Sequence, residues 1–182
     1  MTAEPVAWNL VVTSQHGFQR RLRRALVPLV RLRRTVFRNV LVGWAEDPAA
    51  LCEAVASLLE QRPHVGRWLG KILPLARTFV VDADAFDAQV RHEAEPLLDA
   101  LAGGTFHVRI ERRGHKGVIN TQASERALGE YLYETLRARG AQPVVRFRDP
   151  DAVLAVEVLG EVGGIGVVTR GVRTRFPFVK ID

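Results

Sequence analysis

Apolar and polar positions alternate at two different periods along the chain, and the change of period marks the predicted elements. Phe106, Val108 and Ile110 recur at every second residue, which is typical of a half-buried strand, so we expect a strand over residues 105–112. Apolar residues then recur at helical spacing from about Thr121 to Arg139, and Gly140 provides the stop. The pattern therefore predicts a strand, a loop and an amphipathic helix in succession.

The first 81 residues predict three strands and two helices. The strands are expected over residues 8–13, 35–44 and 72–81, the last interrupted by Pro74. One helix is indicated by apolar residues at helical spacing after Ser14, namely Phe18, Leu22, Leu26 and Leu29. The other begins at Asp47-Pro48, where Asp47 is a suitable N-cap. We expect Trp8 and Trp44 to lie in the core of this half.

The second half predicts two helices and several strands. A helix over residues 84–101 should be kinked by Pro96. Further strands are expected over 143–147, 152–159 and 165–169, with a turn at Asp149-Pro-Asp151. The apolar segment 175–182 should pack rather than remain free. The order of elements predicts an α+β protein in two closely packed halves, divided near residues 81–84.

Positive charge is concentrated at one end of the sequence. The chain of 182 residues carries 26 basic and 20 acidic side chains, a net charge of +6. Residues 1–44 hold eight arginines against Glu4, a net of +7, whereas residues 45–182 have a net charge of −1. Such asymmetry favours a polyanionic partner.

Several classes of function are disfavoured by what the sequence lacks. No apolar run approaches the roughly 20 residues that a membrane span requires, and the segment Met1–Asn9 does not resemble a signal peptide. Cys52 is the only cysteine, so we expect neither a disulfide nor a cysteine metal cluster. The glycines of residues 160–166 lie between two strands, which disfavours a dinucleotide site. We expect a cytoplasmic protein without a metal or cofactor.

A basic loop flanked by glycines follows the strand at 105–112. Arg112, Arg113, His115 and Lys116 precede a helix N-terminus, where free backbone N–H groups and charged side chains favour phosphate. Arg109 shares the outward face of the strand and would extend this patch. Further basic residues follow the last predicted strand and could add their charge: Arg170, Arg173, Arg175 and Lys180. The alternative is that these side chains are simply solvated.

The densest basic segment is Arg20–Arg38. Arg20, Arg21 and Arg24 flank the apolar stripe of the first predicted helix without belonging to it. Three interpretations stay open, namely contact with an RNA backbone, a solvated helix face, and attachment to anionic lipid. Lipid attachment would require exposed apolar residues, whereas the apolar stripe is more simply a core.

The strand and its loop resemble the THUMP domain of RNA-modification proteins. The resemblance is carried by Phe106-His-Val-Arg-Ile-Glu-Arg-Arg-Gly114, by the Asp149-Pro-Asp151 turn, and by the strand with Val156-Glu-Val158, which occur in the same order and spacing. It implies a small ferredoxin-like N-terminal domain over residues 1–83, packed on a THUMP-like α/β domain over residues 84–182. It also implies binding of tRNA, through its acceptor region, or of another structured RNA.

Because the sequence ends at residue 182, we expect no catalytic domain. The chain is then similar to the stand-alone THUMP adaptor that presents tRNA to a cytidine acetyltransferase, which implies an RNA-modifying enzyme as partner, no membrane and no catalysis by the chain itself. Two alternatives remain. One is a small RNA-processing enzyme that uses His107 or His115 with Glu111, and the other is a scaffold that binds only protein.

Overall fold

The computed structural model describes residues 7–181, which form two compact units. Residues 7–75 and 173–181 make up the N-terminal unit, and residues 76–172 make up the second unit. The division therefore lies a few residues before the expected one, and the last residues belong to the first unit. Residues 1–6 and Asp182 lie outside the described residues. Part of the signal-peptide argument and the charge of Glu4 concern residues 1–6.

The N-terminal unit has the order β-α-β-β-α-α-β. Its elements are β1 (Leu10–Ser14), α1 (Gln19–Leu26), β2 (Leu32–Arg34), β3 (Val40–Gly43), α2 (Pro48–Gln61), α3 (Pro63–Gly66) and β4 (Leu69–Pro74). The sheet has the strand order β2-β3-β1-β4, and every neighbouring pair is antiparallel. Asp47 caps α2, because its carboxylate accepts the Ala50 N–H at 2.9 Å.

Two predicted strands of this half were wrong in their extent. The segment from Thr35 onward is a turn that joins β2 to β3, because Asn39 has a positive φ of 61° and the Thr35 hydroxyl donates to the Val40 carbonyl at 3.0 Å. The predicted strand 72–81 divides into β4 and β5 (Arg77–Val80), which belong to different sheets. The N-terminal sheet therefore has four strands rather than three.

The C-terminal segment packs, as predicted, and it does so within the N-terminal unit. Phe176, Phe178 and Val179 are buried. The Ile72 N–H donates to the Phe178 carbonyl at 2.9 Å, which ties the segment to β4. Burial of three large apolar side chains explains why this segment belongs to the first unit although it follows the second in sequence.

The second unit contains a five-stranded sheet with helices. After β5 come α4 (Phe86–Ala94), a 3₁₀-helix (Glu95–Leu101), β6 (Thr105–Arg113), α5 (Thr121–Ala138), β7 (Val144–Val145), β8 (Ala152–Leu159) and β9 (Val162–Thr169). A short helix, α6 (Arg170–Arg175), follows. The strand order is β5-β9-β8-β6-β7, with β6 parallel to both of its neighbours and the other pairs antiparallel.

The core of the second unit follows the predicted periods. Phe106, Val108 and Ile110 of β6 are buried, and α5 buries Leu128, Leu132 and Leu136, so this strand and this helix are confirmed. The predicted helix 84–101 is α-helical only to Ala94 and continues as the 3₁₀-helix that contains Pro96, since proline removes a backbone donor and crowds the preceding turn.

The structure confirms an α+β fold with two sheets. Trp8 is buried as expected, but the prediction for Trp44 was wrong, because this side chain follows the end of β3 and is 56% exposed. Within residues 7–181, no helix combines the length and the apolar character that crossing a bilayer demands.

Candidate nucleic-acid interface

Helix α1 carries the densest group of cations in the N-terminal unit. Leu22 and Leu26 are fully buried and face the core. The four arginines of the helix lie on its other faces and are exposed: Arg20, Arg21, Arg23 and Arg24. The predicted division between an apolar stripe and a basic face is therefore confirmed, and the buried leucines are unavailable to lipid.

Two basic clefts flank α1. One has a volume of about 630 Å³ and is lined by Arg20, Arg21, Arg24, Ala25, Arg62, His64, Val65 and Trp68. The other, of about 510 Å³, is lined by Gly17, Gln19, Arg20, Arg21, Arg23, Arg34, Arg38 and Asn39. We call the seven arginines of these clefts the N-terminal basic surface: Arg20, Arg21, Arg23, Arg24, Arg34, Arg38 and Arg62.

The cations of this surface are not neutralised by carboxylates. Among residues 7–181, no Asp or Glu forms a salt bridge with any of the seven arginines. The Arg21 guanidinium carbon lies 5.7 Å from the centroid of the Phe18 ring. Arg38 Nη2 lies 3.4 Å from His16 Nε2. Seven guanidinium groups on one small unit thus retain their charge for an external anion.

The loop between β6 and α5 has an unusual backbone. Gly114, His115 and Gly117 all have positive φ, at 105°, 47° and 85°. Glycine adopts such angles without strain, whereas His115 does so at a cost that its contacts must offset. Asn120 caps the following helix by accepting the Ala123 N–H at 3.2 Å. The predicted sequence of basic loop and helix start is confirmed.

His115 holds this loop against the turn between β8 and β9. Its Nε2 lies 2.9 Å from the Gly160 carbonyl oxygen, which can only accept, so Nε2 must carry the proton. The Gly160 N–H in turn donates to the Arg113 carbonyl at 2.8 Å. The His115 side chain is only 17% exposed. Its observed contacts are those of a structural clamp rather than of a phosphate ligand.

Arg113 was expected to be exposed, and the structure contradicts this. Its guanidinium donates to the Glu157 carboxylate at 3.1 Å and to the Glu111 carboxylate at 2.8 Å. The parallel register places Glu111 directly opposite Glu157, whose side chain is 2% exposed. Two facing carboxylates would repel each other, and Arg113 offsets that repulsion.

Arg112 and Lys116 remain as candidate anion ligands of the loop. Arg112 donates to the Gly114 carbonyl at 2.8 Å, which fixes its side chain beside the loop. Lys116 is exposed. In the described part of the chain, neither side chain forms a salt bridge with a carboxylate. The predicted patch is therefore smaller than its four basic residues suggested.

Arg109, on the outward face of β6, is also paired. Its guanidinium lies 3.6 Å from Glu125 of α5, and the same carboxylate oxygen accepts the Ile110 N–H at 2.8 Å. The Arg109 side chain is 44% exposed. It can still approach an anion, but Glu125 already compensates part of its charge.

Arg170 is paired with both carboxylates of the turn at Asp149-Pro-Asp151. Its guanidinium lies 3.1 Å from the Asp149 carboxylate and 2.9 Å from the Asp151 carboxylate, and it also donates to the Asp149 carbonyl. Asp151 accepts from the Thr105 N–H at 2.8 Å and from its hydroxyl at 2.6 Å. The hydrogen bonds from Thr105 lower the pKa of Asp151 below its usual value, with a further contribution from Arg170.

The basic residues after β9 are divided between the two units. Arg170 belongs to the second unit, whereas Arg173, Arg175 and Lys180 belong to the N-terminal unit. Arg175 forms a 2.6 Å salt bridge with Glu53 of α2, and Lys180 is exposed. Arg173, Arg175 and Lys180 therefore belong to a different unit from the β6 strand, and the hypothesis that their charge joins that of the loop stays a prediction.

The groups that a catalytic alternative would use have other contacts. The His107 ring meets Phe147 edge to face at 5.0 Å, and partial burial lowers the pKa of His107, against an opposing effect of Glu125. Glu111 is paired with Arg113, and His115 with Gly160.

No cluster of three His, Cys, Asp or Glu side chains in residues 7–181 could hold a metal ion. Burial raises the pKa of the Cys52 thiol to about 11.

The two units differ more in net charge than the two parts of the sequence compared above, residues 1–44 and 45–182. Residues 1–75 and 173–182 carry 14 basic and 6 acidic side chains, a net charge of +8. Residues 76–172 carry 12 basic and 14 acidic side chains, a net charge of −2. The C-terminal cations contribute to the N-terminal unit because the chain returns to it.

Sequence reasoning missed the part of the basic surface that follows α2. Arg62, His64 and Trp68 line a cleft with residues of α1 that lie about 40 positions earlier in the sequence. Residues 62–68 combine two arginines with a histidine and a tryptophan, and this combination of basic and aromatic residues could have indicated nucleic-acid binding.

Comparisons with known proteins place the second unit in a family. A family model for the THUMP domain matches residues 80–168. No curated protein matches the chain. The matched region contains the β6 strand, its loop, α5 and most of the remaining sheet.

Solved structures with the same fold cover most of the chain. TrmN from Thermus thermophilus is 20% identical with a TM-score of 0.62, over 88% of this chain and 45% of TrmN. A 4-thiouridine synthetase, solved as an RNA complex with bound ATP, is 18% identical with a TM-score of 0.58, over 88% of this chain and 41% of the synthetase. PH1313 from Pyrococcus horikoshii Ot3 is 12% identical with a TM-score of 0.57, over 88% and 54%.

These likenesses concern the fold, and the chain spans only about half the length of the structures it matches. The family match is more specific, because it covers the residues that carried the resemblance in the sequence, from Phe106 to Val158. A THUMP domain is an RNA-binding domain of tRNA-modification systems. The chain therefore contains a THUMP domain, which spans residues 80–168.

Proposed function

We propose that this chain binds tRNA, through its acceptor region, and presents it to an RNA-modifying enzyme on a separate chain. The observation that carries the proposal is the THUMP domain over residues 80–168 in the same chain as a unit of net charge +8. The THUMP domain supplies the link to tRNA modification. The positively charged unit supplies electrostatic attraction to the phosphates of an RNA backbone.

The N-terminal unit supports the proposal by its topology as well as its charge. Its strand order β2-β3-β1-β4, with all neighbours antiparallel, is that expected of a ferredoxin-like domain. We therefore propose a ferredoxin-like domain followed by a THUMP domain, each bringing its own contacts to one structured RNA. Phosphate contacts should dominate, so readout of sequence should be weak.

The adaptor role is part of this proposal. The partner enzyme would carry out the chemical modification of the RNA, and this chain would supply affinity for the RNA. The cation-rich clefts beside α1 and the exposed Lys116 are suited to phosphates, which a docked RNA presents along its whole length.

A salt titration with purified chain and unmodified tRNA tests the proposal. We expect tight binding at low salt, with log K falling by about 0.7–0.9 per phosphate contact for each unit of log salt concentration. Affinity that does not change between low and moderate salt would contradict the proposal, as would the absence of binding at low salt. The scaffold alternative predicts that absence.

The adaptor role needs a second measurement. The purified chain should leave bound tRNA chemically unchanged on incubation, as mass analysis of its nucleosides would show. It should also co-purify with a modifying enzyme and raise that enzyme's kcat/KM for tRNA. Turnover of tRNA by the chain alone, lost on substitution of His107 or His115, would favour the enzymatic alternative.

A further inference from the structure

One of the two clefts beside α1 contains aromatic rings as well as arginines. Its lining includes the guanidinium-bearing residues Arg20, Arg21, Arg24 and Arg62 together with His64 and Trp68. We call it the aromatic cleft. Its volume of about 630 Å³ lies within the range of roughly 300–1,000 Å³ that is usual for sites that bind a small molecule or one monomer of a polymer.

The Trp68 ring is held in a defined position. It stacks on the Phe18 ring, with centroids 6.2 Å apart and planes inclined by 11°, and the His64 ring meets it edge-on at 5.1 Å. The backbone of Trp68 is also anchored, because its N–H donates to the Val65 carbonyl at 2.9 Å and its carbonyl accepts the Gln15 N–H at 2.8 Å. A ring fixed in advance loses little entropy when a ligand stacks on it.

The arginines surround these rings with uncompensated charge. The Arg21 guanidinium lies 5.7 Å from the centroid of the Phe18 ring, which stacks on Trp68. Within residues 7–181, Arg20, Arg24 and Arg62 form no salt bridge with a carboxylate. A ligand of this cleft should therefore present both a flat aromatic face and negative charge.

An unpaired nucleotide has both properties. In a base-paired helix the faces of the bases are covered by their neighbours, so a duplex offers a protein its phosphates and 2′-hydroxyls. In a single strand each base can stack on an aromatic side chain while its phosphates meet arginines. A lipid headgroup or a free phosphate would use the arginines but not the rings.

We propose that the aromatic cleft binds one unpaired nucleotide of an RNA, with its base against Trp68 and His64 and its phosphates on Arg20, Arg24 and Arg62. This inference rests on the proposed function, since it assumes that the chain binds RNA, and it adds a site at which single-stranded RNA is distinguished from duplex. The site lies wholly within the N-terminal unit.

The test compares two RNA probes of equal charge. One is a single-stranded hexamer of adenosines, and the other is the same hexamer with an abasic ribose at every position. The intact protein should bind the base-bearing probe about 10-fold more tightly, the loss expected when one stacked base is removed. Both probes should weaken with salt to a similar degree, because their phosphates are the same.

Two tryptophan variants locate the effect. Trp68→Leu should abolish the difference between the probes, whereas Trp44→Leu should preserve it, because Trp44 is 56% exposed and does not line the cleft. Thermal unfolding of both variants checks that the fold is kept. If Trp68→Leu is unfolded, His64→Ala takes its place, because it removes the exposed ring that meets Trp68 and should reduce the difference between the probes.

Equal affinity of the intact protein for the two probes would overturn the stacking proposal, as would a folded Trp68→Leu variant that still prefers bases. Either result would leave the proposed function standing if tRNA binding stayed salt-dependent. Failure of the proposed function looks different, because neither tRNA nor any probe would then bind at low salt.

Discussion

The arginines of the two units differ in what surrounds them. On the N-terminal basic surface, seven guanidinium groups meet no carboxylate among the described residues. In the second unit, five arginines are paired with Asp or Glu: Arg77, Arg109, Arg113, Arg139 and Arg170. The same residue type is therefore paired with carboxylates in one region and exposed without such pairing in the other.

This difference shows why the number of basic residues is a poor guide to an RNA-binding surface. The second unit carries 12 basic side chains, close to the 14 of the described N-terminal unit, yet its net charge is −2. A charge that already faces a carboxylate attracts a phosphate less, because the field of the pair falls off faster than that of a lone cation. We expect the N-terminal unit to supply most of the electrostatic affinity.

The largest effect on stability should come from Arg113→Ala. This change removes the contact of the Arg113 guanidinium with the carboxylate of Glu157, whose side chain is 2% exposed. We expect a loss of about 3 kcal/mol in the free energy of unfolding, the lower end of the range for removing one member of a buried ion pair. Urea unfolding would measure it.

Arg112→Ala is the matched control, because it changes the adjacent residue and removes only a hydrogen bond to the Gly114 carbonyl. It should cost less than about 1 kcal/mol. Equal unfolding free energies for the two variants would show that the ion pair with Glu157 does not matter for folding, and Arg113 would again be a candidate RNA ligand.

A smaller loss of stability should follow Asp151→Asn, and it should depend on pH. The hydrogen bonds from Thr105 hold the pKa of Asp151 below its usual value of 3.8, so the charged carboxylate stabilises the folded state above that pH. The contribution is lost as the pH falls through the lowered pKa. The melting temperatures of wild type and variant should therefore differ at pH 7 and converge in strong acid.

Asp149→Asn is a suitable comparison for that experiment. Asp149 also contacts Arg170, but the Thr105 hydrogen bonds reach only Asp151. A difference between wild type and Asp151→Asn that stays constant down to strong acid would contradict the assignment of this effect to the carboxylate charge.

The smallest effect should come from the remaining cations of the loop between β6 and α5. Removing Arg112 and Lys116 together should weaken tRNA binding by about 3- to 10-fold at low salt, because each exposed contact is worth less than a buried charge-assisted hydrogen bond. Fluorescence anisotropy with labelled tRNA would measure this. An unchanged affinity would mean that the loop is only a solvated part of the THUMP domain.

The elements that the sequence predicted well are those with a strong period. The alternation of Phe106, Val108 and Ile110 gave β6 its correct buried face, and the helical spacing after Thr121 gave α5 its start. The hairpin before β3 was missed because the β-forming residues on both sides of Arg38-Asn39 were assigned to one strand, whereas the positive φ of Asn39 marks a turn between them. A series of β-forming residues does not by itself reveal where a chain reverses.

The candidate site was predictable only where its contacts are local. The exposure of Arg20, Arg21 and Arg24 followed from the apolar stripe of their own helix. The pairing of Arg113 with Glu157 depends on the parallel register of β6 and β8, which lie 44 residues apart at this point, and no local pattern specifies that register. The neighbourhood of Trp68 and α1 was likewise a product of the tertiary fold.

The central claim, that unpaired arginines bind RNA and paired arginines do not, is tested by two triple variants of equal charge. One changes Arg20, Arg21 and Arg24 to glutamine, and the other changes Arg77, Arg109 and Arg139, each of which lies 3.4–3.6 Å from a carboxylate. All six substitutions remove one positive charge and should leave the fold intact, since exposed salt bridges stabilise by about 0–1 kcal/mol.

The measurement is the slope of log K for tRNA against log salt concentration for both variants and the wild type. The N-terminal triple should lower the magnitude of the slope by about 2–3, which corresponds to three lost phosphate contacts, and weaken binding at low salt by at least about 10-fold. The second triple should change the slope by less than about 1. Equal changes in the two variants, or a larger change in the second, would contradict the account.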